Sequence, residues 1–386
     1  MFEATKREIG ELMTFFRLLA DGKIEWGNAQ GCADTTAAAW PVALVQRMEH
    51  NGARRYFIAP DEIIMVSGEL NRNGTFLVDE SQESLHVPRQ DFADAAQLLL
   101  ELLQSAAGQD TVEVPDGLEG FLNALNIYDL EAKTEDRTDL SVAFWSVDAP
   151  LTGFCVRCRL SPMNPLLDGG RTANLKLEQT GVKFAVPTVN KVNALPESPT
   201  EVMDRMLMIE RLGGALKFAD VADRVFRCNL QMIDLHFPRM LTEMVRAMHL
   251  EGLARVSDLT RYITQTNPLK IKDELIGKHG FYEHKMKQFL LALALGMRPA
   301  KIYRGTDSAI QGWLLTDTAG QIVGYHTWRR EVFADFLFEN SRFEKGSLEK
   351  DKYGFLEREN GVWYFKLNAK IGLLKRAPAP TKGVTQ

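Results

Sequence analysis

The feature that most constrains this chain is the stretch from Arg137 to Leu160, where two alternating segments flank a turn. Leu140, Val142 and Phe144 alternate with Asp139, Ser141 and Ala143. Phe154, Val156, Cys158 and Leu160 alternate in turn with Cys155, Arg157 and Arg159. A period of two puts one set on each face of a strand. Asp148-Ala-Pro-Leu-Thr-Gly153 supplies the turn chemistry between them. The pattern predicts a β-hairpin with one apolar face, a carboxylate (Asp139) at the entry of the first strand and cations along the second. An apolar sheet face has to be covered, and the covering helices are legible on either side of the hairpin.

Thr5-Lys-Arg-Glu8 reads as a capping box that starts a helix, with Ile9, Leu12, Met13, Phe16 and Leu19 at helical spacing and Gly22 as its stop. Glu8 is occupied by the cap, whereas Glu11 stands free at the rim of the apolar stripe. Arg55–Ile58, Glu62–Val66 and Thr75–Val78 look extended, and Asp91–Gln104 and Gly117–Leu125 look helical. The acidic linker Asp129–Asp136 leads into the hairpin. Beyond it, Arg171–Lys176 and Val182–Val186 could add strands. Helical periods then cover 199–212, 229–250, 256–265 and 281–296. A second hairpin, Gly312–Thr316 with Ile322–Trp328, is followed by a helix over Glu331–Glu339. The last hairpin turns at Asn360-Gly361, and Ala377–Gln386 reads as a disordered tail. The expected organisation is an α/β core over 1–195, a helical and β-hairpin part over 196–376, and the tail.

Among the 386 residues no apolar run reaches the ~20 needed for a membrane span, and the start lacks the apolar core of a signal peptide. With 4 cysteines and no disulfide framework, a cytoplasmic protein is expected. The net charge of -5 hides an asymmetry. Residues 1–150 hold 11 Lys+Arg and 26 Asp+Glu, a balance of -15, while the remainder hold 35 and 25, a balance of +10. That pattern suits carboxylates for a metal in the first part and a polyanion surface in the second.

Several chemistries are excluded by motif. No GxxxxGK[ST] phosphate cradle, GxSxG elbow or HExxH pair occurs. Cys155-Val-Arg-Cys158 would put its two thiols on opposite strand faces, and no second Cys or His pair stands at ligand spacing. What remains is Asp139 with the face of Cys155, Arg157 and Arg159, and Glu11 as a possible contributor. Phosphodiester hydrolysis needs such a set: carboxylates to hold Mg²⁺, which activates water, and a cation to offset charge on phosphorus. The PD-(D/E)xK nucleases place an Asp entering one strand and a D/E-x-K on the next.

On these residues the chain resembles the HpaII-type restriction endonucleases. Similar blocks are Glu8–Lys23, Thr138-Asp-Leu with Thr152–Arg157, Asn229–Asp234, and Phe281–Leu290 with Ala294–Met297. The run from Gly312 through Gly324–Arg330 to Tyr364–Asn368 is similar as well. The resemblance implies a PD-(D/E)xK core using Mg²⁺ and sequence-specific cleavage of double-stranded DNA at a short, CCGG-like site. It also implies a cognate DNA methyltransferase as genetic partner; a dimer is possible. It sets Glu11 and Asp139 as the metal-binding carboxylates. Arg157 falls where the family pattern Gly-Phe-Ser-Ile-Lys-Ser has its catalytic lysine; here the run is Gly153-Phe-Cys-Val-Arg-Cys158. Arginine keeps the charge and can grip phosphate with two bonds, but it cannot lose a proton near neutral pH. Two readings therefore stand: an active nuclease, or a homologue that binds DNA sequence-specifically and cuts weakly or not at all. Arg171, Asn174, Asn229, Gln231 and Arg330 are the candidates for contacting DNA, by the donor and acceptor code of base edges.

Overall fold

The computed structural model describes residues 2–132, 138–145, 151–305 and 309–375. Residues 148–150 of the expected turn, 133–136 of the linker and the C-terminal tail lie outside the described residues. The fold is α/β: a mixed sheet flanked by helices. By contact the described chain divides into two units, one holding the residues up to 163 with 309–336, the other holding 164–305 with 337–374. Residues 164–195, expected with the core, thus go with the second unit, while the hairpin expected in the C-terminal part goes with the first.

In the first unit a ten-stranded sheet forms. Leu140–Phe144 and Thr152–Cys158 are its antiparallel centre. Trp40–Glu49, Gly52–Ile58 and Glu62–Leu70 extend it on one side. On the other side Ile310–Thr316 pairs with Thr152–Cys158 in parallel, and Ile322–His326 follows antiparallel. Two glycines make this junction possible. A Cβ on Gly153 would lie 2.2 Å from the Ala309 carbonyl oxygen, and one on Gly312 would lie 2.5 Å from the Phe154 ring. Only residues without side chains let these strands and the ring approach so closely.

The helix Lys6–Asp21 covers one face. Its capping box is formed as expected: Glu8 N donates to the Thr5 hydroxyl at 3.2 Å and Thr5 N to Glu8 Oε2 at 2.7 Å, and Gly22 ends it in the left-handed conformation. Ile9, Leu12, Phe15, Phe16, Leu18 and Leu19 are fully buried, each contributing about 1.5–3 kcal/mol. Phe15 meets Tyr56 of the sheet edge-on at 4.8 Å, and Phe16 meets Phe92 of the second helix, Arg89–Ser105, at 5.3 Å. The opposite face carries Trp313 and Tyr325, covered by Phe333 and Phe336, the latter stacked on Tyr325 at 4.1 Å.

The second unit contains a four-stranded sheet, a three-stranded one and the helices expected beyond residue 198. Three expectations are corrected. The segment expected as a strand over 171–176 opens as a 3-10 turn, Gly170–Ala173, before the strand Asn174–Gly181. The one expected over 182–186 runs instead into the helix Val186–Asn193, which Pro187 starts by fixing φ in its first turn. The long helix expected over 229–250 is two, Arg224–Ile233 and Phe237–Glu251, with Pro238 at the new start. At the last hairpin Asn360 and Gly361 both have positive φ (49° and 85°), as a two-residue hairpin turn requires.

Candidate active site

The site arises where a ladder runs out. Leu140–Phe144 pairs with only the start of Thr152–Cys158: Val142 faces Thr152, Ser141 faces Gly153 and Leu140 faces Phe154. The Asp139 amide still donates to the Phe154 carbonyl at 2.9 Å. Past that point the other edge of Thr152–Cys158 stays paired to Ile310–Thr316 as far as Cys158, but the edge facing Asp139 has no partner strand among the described residues. Backbone groups there still need partners, and side chains supply them. Val156 N donates to Asp139 Oδ2 at 2.7 Å, and Val156 O accepts from Arg157 Nη1 at 2.7 Å. The backbone of one residue, Val156, thus carries the carboxylate on its amide and the guanidinium on its carbonyl, at the two sides of a notch.

Glu11 comes to this notch from the helix Lys6–Asp21 and is 6 % exposed. Its Oε1 accepts from Ala132 N at 2.6 Å, so the linker folds back onto the helix. Glu131 adds a bridge to Arg7 at 3.0 Å. Burial first, and the nearby Asp139 charge second, push the Glu11 carboxyl up to about 7; the Ala132 amide and Arg47 hold it back. Asp139 is raised too, chiefly by desolvation, with Arg157 and the Val156 amide opposing. Two carboxylates that resist ionising in each other's presence are a site short of positive charge.

Arg157 lies over the Trp313 ring at 4.8 Å, a cation–π contact made possible by the parallel strand. Its buried Nε has no hydrogen-bond partner among the described residues. The strand ends at Cys158, and the Arg159 side chain beyond it lies beside Tyr325 and at Gly31, where an added Cβ would be 2.4 Å from its Nη2 and 3.2 Å from the Phe336 ring. Cys155 and Cys158 are buried thiols outside any disulfide among the described residues, and burial pushes Cys158 up to about 11, out of reach as a thiolate.

Among the described residues no group of three or more His, Cys, Asp or Glu side chains is arranged to cage a metal ion. Two carboxylates nevertheless fit a hard divalent cation. Mg²⁺ is commonly held by one or two carboxylates and completes its shell with water and substrate phosphate. Each carboxylate here has committed one oxygen to a backbone amide, which fixes its orientation and leaves Glu11 Oε2 and Asp139 Oδ1 outside those bonds.

The five candidate DNA contacts separate sharply. Asn174 is buried and structural: its amide donates to the Asp351 carbonyl at 2.8 Å and its oxygen accepts from Asn368 at 2.8 Å. Asn229 is 2 % exposed and ties down the loop at 298–303, donating to the Arg298 and Lys301 carbonyls and accepting from Tyr303 N. Arg171 is exposed, with Nε donating to the Lys350 carbonyl at 3.2 Å. Gln231 and Arg330 are exposed. Arg171, Asn174, Asn229 and Gln231 belong to the second unit, and Arg330 to the first.

The sequence of the whole chain decides what this notch belongs to. The model of a family described as HpaII restriction endonuclease matches residues 5–373. This chain belongs to the HpaII restriction endonuclease family. A type II restriction enzyme, HpaII from Haemophilus parainfluenzae, is 26 % identical over 377 residues, covering 97 % of this chain and 99 % of the relative. No solved structure matches. As a member of the HpaII family the chain is a site-specific deoxyribonuclease that binds and cuts double-stranded DNA, and type II enzymes generally use divalent metal ions. No helix among the described residues is long and apolar enough to cross a membrane.

Beside the residues that the sequence singled out, the notch is built with Trp313, Ala132 and Val156, which no motif marked. Arg47 and Glu49 were legible in principle. They interrupt an otherwise apolar face of the strand Trp40–Glu49, an anomaly that asks for a buried partner.

Proposed function

We propose that this chain is a Mg²⁺-dependent type II endonuclease with a PD-(D/E)xK core, cutting duplex DNA at a short, CCGG-like site. Glu11 and Asp139 hold the ion, and Arg157 stands against the scissile phosphate. The observation that carries this reading is the pairing of two carboxylates, both raised by burial, in a notch that also presents a guanidinium. The ion, when bound, neutralises the two carboxylates and polarises water and phosphate.

The protein's own contribution is orientation and charge. Asp139 is held by the Val156 amide and Glu11 by the Ala132 amide, so neither carboxylate needs to reorganise when a cation enters. Arg157 is anchored by its own strand's carbonyl and by the Trp313 face. A guanidinium stays charged at any working pH, so it offsets phosphate charge and orients, and it accepts no proton. Base reading falls to exposed side chains, with Gln231, Arg171 and Arg330 the remaining candidates, since Asn174 and Asn229 are spent on backbone groups. The excess of Lys and Arg after residue 150 suits contact with backbone phosphates. A cytoplasmic location and a protecting methyltransferase complete the proposal.

The test is Asp139→Ala assayed on unmethylated plasmid with Mg²⁺ beside a gel shift. Cleavage should disappear while binding persists; undiminished cleavage would refute the assignment.

A further inference from the structure

We infer that Arg47 is a positioning residue for Glu11, acting through the backbone of residues 129–132; this rests on Glu11 being a metal ligand, as proposed above. Arg47 is 1 % exposed. Its Nη1 donates to both oxygens of Glu49 at 2.8 Å, and the Tyr56 hydroxyl donates to Glu49 Oε1 at 3.2 Å. Its Nη2 donates to the Asp129 carbonyl at 2.8 Å. The same Asp129 is fixed a second time, its carboxylate accepting from His50 N at 2.6 Å. Three residues on, the Ala132 amide grips Glu11 Oε1. The guanidinium also lies over Phe15, one turn beyond Glu11 on the same helix, at 5.4 Å. Arg47 therefore braces both structures that set the Glu11 carboxylate: the helix that carries it and the segment that orients it.

A buried ion pair alone would not call for this residue, because apolar replacements of such pairs are often neutral or stabilising. The fork geometry does call for it. One planar head serves Glu49 and the Asp129 carbonyl at once, which a lysine cannot do. Residues that orient a metal ligand from behind typically change metal affinity ~10–100-fold when lost.

The experiment titrates chelator-treated full-length protein with Mn²⁺ and Mg²⁺ by calorimetry, with thermal unfolding and the metal concentration for half-maximal cleavage read in parallel. The double variant Arg47→Met/Glu49→Met removes the brace without leaving an unpaired buried charge. Ala132→Pro removes the amide at the far end. Arg47→Lys keeps the pair with Glu49 but loses the fork. All three should keep a cooperative unfolding transition and bind metal ~10-fold or more weakly, with half-maximal cleavage shifted likewise. Wild-type affinity in the folded Arg47→Lys protein, or in both other variants, overturns the inference. Glu11→Ala and Asp139→Ala are run alongside: if these bind metal as wild type does, the metal assignment itself fails, and if they do not while the Arg47 variants do, only the brace fails.

Discussion

Replacing Glu11 with glutamine should stabilise the metal-free protein, increasingly as pH rises from about 4.5 to about 7 and fully above that. In the folded chain the Glu11 carboxyl sits at about 7 instead of 4.5, because burial and the Asp139 charge disfavour the anion. A folded-state value above the unfolded one means that the fold holds the proton more tightly. Its contribution is full below about pH 4 and is lost as pH rises through 7. That displacement corresponds to about 3 kcal/mol. Glutamine keeps an oxygen for the Ala132 amide and carries no charge, so it imitates the protonated acid at every pH. In EDTA, urea unfolding should show Glu11→Gln more stable than wild type by about 3 kcal/mol at pH 8.5 and by under about 1 kcal/mol at pH 5. Millimolar Mg²⁺ or Mn²⁺ at pH 8.5 should then stabilise wild type and not the variant. An Asp139→Asn background should shrink the whole effect. A variant equally or less stable than wild type at pH 8.5 would refute the claim that the two carboxylates are frustrated without a cation.

Other outcomes follow from the same geometry. Arg157→Met should lower cleavage by roughly 10²–10³ with little loss of DNA binding, while Arg157→Lys, which restores the residue of the family pattern, should keep cleavage at or above wild type; both are read from single-turnover rates. Asn229→Ala should cost about 2–4 kcal/mol in unfolding experiments, because it strands two carbonyls and one amide of the 298–303 loop. Gln231→Ala, two residues away and exposed, should leave stability within about 0.5 kcal/mol and change only the rate ratio between cognate and single-mismatch sites. Gly153→Ala should abolish soluble expression or unfold the core, since its Cβ would collide with the Ala309 carbonyl.

The paired strands, the capped first helix and the nearness of Asp139 to Arg157 were legible because each is local: alternation and a capping box are written within a few residues. The parallel strand Ile310–Thr316 was not, although its hairpin was. Alternation identifies a strand but carries no label for a neighbour some 150 residues earlier, and Trp313 beneath Arg157 was lost with it. The end of the ladder at Phe154 was also invisible, since a register stop depends on three strands at once. Asn174 and Asn229 show the other limit. A polar side chain that reads a base and one that staples a buried loop are the same letter, and only burial separates them.

The central claim is that a divalent ion held by Glu11 and Asp139 cuts DNA in this notch. The most direct measurement is cleavage and gel shift of unmethylated plasmid by wild type and Asp139→Asn, side by side in Mg²⁺ and in EDTA. Discrete fragments from wild type in Mg²⁺ alone, with Asp139→Asn binding the same DNA and leaving it intact, are the predicted result. Cleavage by Asp139→Asn at the wild-type rate, or by wild type in EDTA, would contradict it.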